Sequence, residues 1–170
     1  IIMASFSSWN GVKMHEHKYL LTDVLKNELG FKGFIVSDWE AVSGLSGKTY
    51  DENIVRAVNA GVDMLMESFT YAKAYNSLLS AAKKGEITEE RINDAVKRIL
   101  TVKRDIGLFD DPYMENVSHE VDALGSEKYR SLAKQLVEKS LVLLKNDNNV
   151  LPLKSGQKIF VTGPAIDDMG

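Results

Sequence analysis

Phe34-Ile35-Val36-Ser37-Asp38-Trp39 decides the reading of this chain: an apolar run after Gly33 that stops at a carboxylate and an indole. Three consecutive apolar side chains predict a strand buried on both faces, and the helical patterns on either side place it in a parallel sheet. In open parallel sheets and βα-barrels, side chains at the carboxyl end of a strand face the ligand crevice, which puts Asp38 and Trp39 where chemistry is done. Position alone leaves a second reading open, because an Asp after a strand also serves to cap the helix that follows.

Toward the amino end, Ile1 to Ser5 reads as another strand, followed by Phe6, Ser7, Ser8 and Trp9 and a loop from Asn10 to His15. Leu20, Leu21, Val24, Leu25 and Leu29 recur at the spacing of one helix face, and Gly30 stops that helix. Trp9, beside the Asn10-Gly11 turn, reads as structural. Toward the carboxyl end, a polar loop from Ser43 to Tyr50 leads to a helix with Ile54, Val55 and Val58 on one face, Asp51 as its cap and Gly61 as its stop. Val62 to Met66 reads as a third strand, with Glu67 as a loop residue after it. A helix from about Tyr71 to Lys84 ends at Gly85. Thr88 then caps a longer helix whose first turn carries Glu89 and Glu90, favourable at the positive end of the helix dipole. Ile92, Ala95, Val96, Ile99 and Leu100 form its expected buried stripe.

After Phe109 the pattern breaks at Asp110-Asp111-Pro112 and stays irregular to Gly125, a linker signature. Ser126 is placed to cap a further helix with Leu132, Leu136 and Val137 on one face. Leu141 to Leu144 is expected to be a short buried strand, Asn146 to Asn149 a turn, and Ile159 to Thr162 another strand. The Gly163-Pro164 turn that follows is too weak a signal for a nucleotide site.

Composition bounds the function. With 170 residues, 44% hydrophobic and 26% charged, the sequence is that of an ordinary globular protein without low-complexity tracts. A net charge of -3 gives no support for nucleic-acid binding, and no apolar run approaches the roughly 20 residues needed to span a bilayer. Without cysteine there is no disulfide or thiolate chemistry, while the compartment stays open between extracellular, periplasmic and cytoplasmic. His15 and His17 lie two apart and would not share a helix face, His119 falls in the linker, and no Cys or acidic cluster completes a metal site. Neither a metal nor an organic cofactor is expected. Nothing sets the oligomeric state.

Met3-Ala4-Ser5-Phe6-Ser7-Ser8-Trp9-Asn10-Gly11, followed across a helix by Gly30-Phe31-Lys32-Gly33-Phe34-Ile35-Val36-Ser37-Asp38-Trp39, resembles glycoside hydrolase family 3. Arg91 to Leu100 with Gly107-Leu108-Phe109 resembles the segment closing that family's barrel. Lys139 to Asn146, Leu151-Pro152-Leu153 and Val161-Thr162-Gly163-Pro164 resemble the entry into its second domain. The resemblance implies an α/β fold: the C-terminal part of a TIM-type (β/α)8 barrel over residues 1–109, a linker over 110–125, and the start of an α/β sandwich domain over 126–170. Three strand-helix units cannot close an eight-stranded barrel of about 250 residues, so the chain is expected to belong to a longer protein.

The implied activity is that of a retaining exo-acting β-glycosidase, a β-glucosidase or glucan glucohydrolase, acting on a β-linked oligosaccharide or glucoside. The Asp of the family's Ser-Asp-Trp stretch is its nucleophile, which gives that role to Asp38. Trp39 matches an indole that stacks on the sugar in the next subsite. Phe6 stands where some relatives, plant β-glucan glucohydrolases among them, have a Tyr near the bound sugar, so a hydroxyl contact is lost. In two-domain members the acid/base Glu comes from the second domain, past the position of Gly170. Two alternatives stay open: a non-catalytic carbohydrate-binding fragment in which Asp38 and Trp39 merely hold sugar, and a β-xylosidase on the same framework.

Overall fold

The computed structural model describes residues 1–115, 123–164 and 166–167, so His119 and part of the expected linker lie outside the described residues. The chain divides into two units, Ile1–Val117 and Ser118–Gly170.

In the first unit β1 (Ile2–Met3) leads into a hairpin of β2 (Ser8–Trp9) and β3 (Val12–Lys13), where the sequence reading expects only a loop. Asn10 and Gly11 have φ of 48° and 81°, and two successive positive values make the turn that matches the twist of paired strands, which is why Asn-Gly is a strong hairpin signal. A short 3₁₀ turn, Met14–Glu16, follows. The next helix, Tyr19–Glu28, is wound as a π-helix; the Leu29 N–H reaches the Val24 carbonyl five residues back, at 2.8 Å.

β4 (Ile35–Val36) pairs in parallel with β1, Ile2 opposite Ile35 and Met3 opposite Val36. The expected third strand is reduced to one parallel bridge, Val36 to Met64. The bonding is nonetheless that of a parallel ladder, with the Met64 N–H on the Ile35 carbonyl at 3.1 Å and the Ser37 N–H on the Met64 carbonyl at 2.9 Å. Phe34 and Ile35 are buried, as apolar residues in a covered parallel sheet should be.

Three helices complete this unit: α1 (Tyr50–Ala60), α2 (Tyr71–Lys83) and α3 (Glu89–Asp105). The cap of α1 is Thr49, whose side chain accepts the Glu52 N–H, and not Asp51. Asp51 instead accepts a hydrogen bond from Ser77 of α2. Gly61 ends α1 at φ 124°, and a Cβ there would stand 2.6 Å from Thr22 Oγ1, so a larger residue would push α1 off the π-helix. Leu21, Ile35, Val42, Ile54, Ala57 and Val62 form the centre of the core.

The stripe expected on α3 is corrected. Ala95 is buried and Ile92 joins a small cluster with Val58 and Ile87, but Val96 and Leu100 are exposed. The reason is that α3 is drawn in by its charged flank. Arg91 donates to Asp63 at 2.6 Å and to Asp94, while Arg98 donates to Asp94 and to the Phe31 and Gly33 carbonyls at 2.8 and 2.9 Å. The Asp63 side chain is fully buried, receives Lys26 Nζ at 2.7 Å and accepts the Ile35 N–H at 2.9 Å. Burial pushes the Lys26 ammonium below its ordinary value, with the Asp63 hydrogen bond opposing. This network ties the π-helix, the start of β4 and α3 together.

The second unit contains α4 (Glu127–Ser140). Ser126 has the extended backbone of a cap residue, but its side chain makes no cap bond. The strands expected at 141–144 and 159–162 are absent among the described residues. A strand is held by its neighbour's hydrogen bonds, and among the described residues neither segment has a strand to pair with, so apolar content alone does not make them strands. Leu144 and Phe160 are each 91% exposed. The Asn146–Asn149 turn is present, with 3₁₀ geometry at Asp147–Asn149, and the Asn146 side chain brackets Leu151 through its N–H and carbonyl at 2.9 Å each.

Candidate active site

The site grows from the carboxyl end of β4. The Ser37 N–H meets the Met64 carbonyl of the neighbouring segment, and Ser37 is fully buried. Its Oγ accepts the Met66 N–H at 2.7 Å and donates to the Asp38 carbonyl at 2.9 Å, so it locks the strand end to the segment beside it.

At Asp38 the ladder runs out. The acceptor for its N–H is the Nε2 of His15, at 2.8 Å. An imidazole nitrogen that accepts carries no proton, so this ring is neutral with its proton on Nδ1. Burial holds His15 below its ordinary value of 6.5, the Asp38 charge raising it and Lys13 adding to the fall. On the side chain, Asp38 Oδ1 accepts the Trp39 N–H at 2.6 Å. Among the described residues no donor reaches Oδ2, which leaves that oxygen able to meet a ligand.

Trp39 is 52% exposed and meets Phe69, 81% exposed, edge to face at a centroid distance of 6.2 Å. The backbone at Phe69 is held by a carboxylate. Glu40, in the left-handed region at φ 50°, accepts the Phe69 N–H at 2.6 Å and the Thr70 hydroxyl at 2.8 Å. These bonds, led by that of Phe69, hold the Glu40 carboxyl below its ordinary value. Glu67, expected as a plain loop residue, is 6% exposed, accepts from Tyr50 at 2.9 Å and stands 2.8 Å from the Thr70 hydroxyl, whose single proton serves either Glu67 or Glu40. It is therefore an internal brace. Burial above all, with the Glu67 carboxylate adding to it, pushes the Tyr50 phenol up to about 12, which keeps it a donor at neutral pH.

Of the residues singled out in the sequence, Phe6 stacks edge-on to His15 at 6.5 Å and so lies one ring away from the Asp38 backbone. Trp9 contacts His17 at 5.3 Å, in keeping with a structural role. The sequence does not mark His15, Glu40, Glu67 or Phe69 as site residues. For His15 it raises only the question of a metal, and the contact across 23 residues is what reveals its place. Among the described residues no group of three His, Cys, Asp or Glu side chains could hold a metal ion.

Residues 1–102 match the Glycosyl hydrolase family 3 N terminal domain. The periplasmic beta-glucosidase of Salmonella typhimurium is 40% identical over 98% of this chain and 22% of its own length. A beta-xylosidase of Formosa agariphila is 36% identical over 96% of this chain and 24% of its own. The crystal structure of an exo-1,3/1,4-beta-glucanase from a Pseudoalteromonas species superimposes with a TM-score of 0.68 at 45% identity, covering 89% of this chain and 19% of that one. The chain thus spans about a quarter or less of the relatives it matches, and it is a mixed α/β piece similar to their N-terminal domain. With more than half of its residues inside the family's domain and three similar proteins agreeing along almost its whole length, this chain belongs to glycoside hydrolase family 3.

Proposed function

We propose that this chain carries the nucleophile of a retaining exo-acting β-glycosidase, and that Asp38 is that nucleophile. The observation that carries the reading is the carboxylate at the end of β4, one oxygen held by the Trp39 N–H and the other open. In retaining hydrolysis a carboxylate oxygen attacks the anomeric carbon as the bond to the leaving oxygen breaks, and that oxygen takes a proton from a second carboxylic acid. The glycosyl ester so formed is hydrolysed by water, whose proton returns to the same acid. The two carboxyl groups stand roughly 5–5.5 Å apart in such enzymes. Family resemblance puts the acid in a second domain past Gly170, so Glu40 and Glu67, spent on internal hydrogen bonds, are not assigned the role.

On this reading the three parallel segments are part of a (β/α)8 barrel, residues 110–125 a linker and residues 126–170 the start of a sandwich domain. Trp39 is the platform for the sugar beyond the scissile bond, since the apolar face of a pyranose packs on an aromatic plane. Phe6 lines the bound sugar without offering it a hydroxyl. The substrate is a β-linked glucoside or oligosaccharide, and the beta-xylosidase among the relatives keeps a β-xyloside as the second reading.

The test is made in the full-length protein with an aryl β-glucoside and an aryl β-xyloside. Asp38→Asn and Asp38→Ala should lower turnover of the better substrate by about 10⁴-fold or more, the scale met when a group that forms the covalent intermediate is removed. Variants that fold normally and keep their turnover would leave Asp38 a sugar-holding residue and defeat the assignment.

A further inference from the structure

We infer that His15 is a positioning residue for the nucleophile: its neutral Nε2 holds the Asp38 peptide N–H and so fixes the direction in which the carboxylate leaves the strand end. This rests on the reading of Asp38 as the nucleophile.

The geometry argues for it from both partners. On the strand, Ala4 N–H meets the Val36 carbonyl and Ser37 N–H meets the Met64 carbonyl, but at Asp38 the neighbouring backbones have diverged and a ring from a different segment supplies the acceptor. On the other side, the ring is unusually well held for one on a loop. His15 is 2% exposed and sits in the 3₁₀ turn directly after the hairpin, which the Met14 N–H anchors to the Ser7 carbonyl at 3.0 Å. Phe6 abuts its edge. With Oδ1 folded back on the Trp39 N–H, the Asp38 carboxylate has few ways to turn as long as its own peptide plane is fixed.

The charge state matters because only the neutral ring can accept. The groups that act on His15 are the Asp38 carboxylate, which favours the imidazolium, and Lys13, which opposes it; burial opposes it most strongly. Protonation would put a second N–H against that of Asp38 and release the strand end. The group's value is depressed in the folded protein, so the contact is complete above pH 6.5 and is lost as pH falls through the lower, folded value.

The experiment uses the full-length protein, an aryl β-glucoside, and His15→Ala, His15→Gln and Asp38→Asn side by side. His15→Ala should lower kcat by about 10²-fold with KM little changed, since misplacement of a reacting group by about 1 Å has that effect. A Gln side chain reaches the same place and accepts at every pH, so His15→Gln should recover most of the kcat and move the acid limb of its pH profile to lower pH. Ala and Gln variants equally impaired, a Gln variant with the original acid limb, a loss confined to KM, or full kcat in His15→Ala would each overturn the role. Asp38→Asn separates the two claims: if it is inactive while His15→Ala is fully active, only the role of His15 falls, and if it stays active, both fall.

Discussion

Trp39 lies next to Asp38 in sequence but on the proposed reading has a different task, which its exposure beside Phe69 makes separable by mutation. A stacking platform beyond the scissile bond touches only substrates long enough to reach it. Trp39→Ala should therefore weaken kcat/KM for a β-linked oligosaccharide more than for a small aryl glycoside, by on the order of 1 kcal/mol beyond area burial. Equal losses on both substrates, with a lower melting temperature, would show that the indole serves packing. At this scale the sequence marks Asp38, Trp39 and Phe6 because strand-end position and family resemblance both point at single residues. It cannot mark His15, whose partner is 23 positions away, nor Glu67, whose buried bonds to Tyr50 and Thr70 exist only once two loops meet. A carboxylate in a loop is ordinarily solvated, so nothing local sets Glu67 apart.

Among the elements, α3 shows how a charged flank can override an apolar stripe. Its Val96 and Leu100 remain exposed while Arg91, Asp94 and Arg98 face Lys26, Asp63 and the carbonyls ahead of β4. Asp63 is the centre of that network. Asp63→Asn would leave Lys26 and Arg91 with only the half-exposed Asp94 as counter-charge, and breaking a buried pair from one side typically costs about 3–5 kcal/mol, which Asp94 offsets in part. Denaturant unfolding monitored by the first unit's helical signal should show a loss of that size, and a change below about 1 kcal/mol would mean that the cations find water instead. The existence of α1, α2 and α3 is readable in the sequence, because periodicity, the Thr88 cap and the Gly61 and Gly85 stops all act locally, whereas the 3₁₀ turns at Met14–Glu16 and Ala41–Gly44 carry no such periodicity. The hairpin carries its own local signal in Asn10-Gly11, although the two strands beside it are too short for alternation to show. The exposure of Val96 and Leu100 on α3 has no such signal, since it depends on Asp63 lying where Arg91 can reach it.

For the whole molecule, the chain covers only a fraction of its relatives' length. Segments 141–144 and 159–162 carry strand-forming residues with no strand to pair with among the described residues, and their apolar side chains stand in solvent. Large exposed apolar surface of this kind drives association. Residues 1–170 expressed alone should scatter light as oligomers or aggregates and hydrolyse no aryl β-glucoside, because on the proposed reading the general acid lies outside them, which forfeits about 10²–10⁴-fold, and lost orientation costs more. A monodisperse, active monomer would contradict the placement of the acid outside this chain.

The central claim, that Asp38 forms the covalent bond to sugar, is tested most directly by trapping. The full-length protein is incubated with a 2-deoxy-2-fluoro-β-glucoside bearing a good leaving group, digested, and its peptides weighed by mass spectrometry. The account predicts one added fluoroglucosyl group, on the peptide that contains Ser37 to Glu40 and within it on Asp38. A label on any other carboxylate, with Glu40 and Glu67 the nearest rivals, would contradict it.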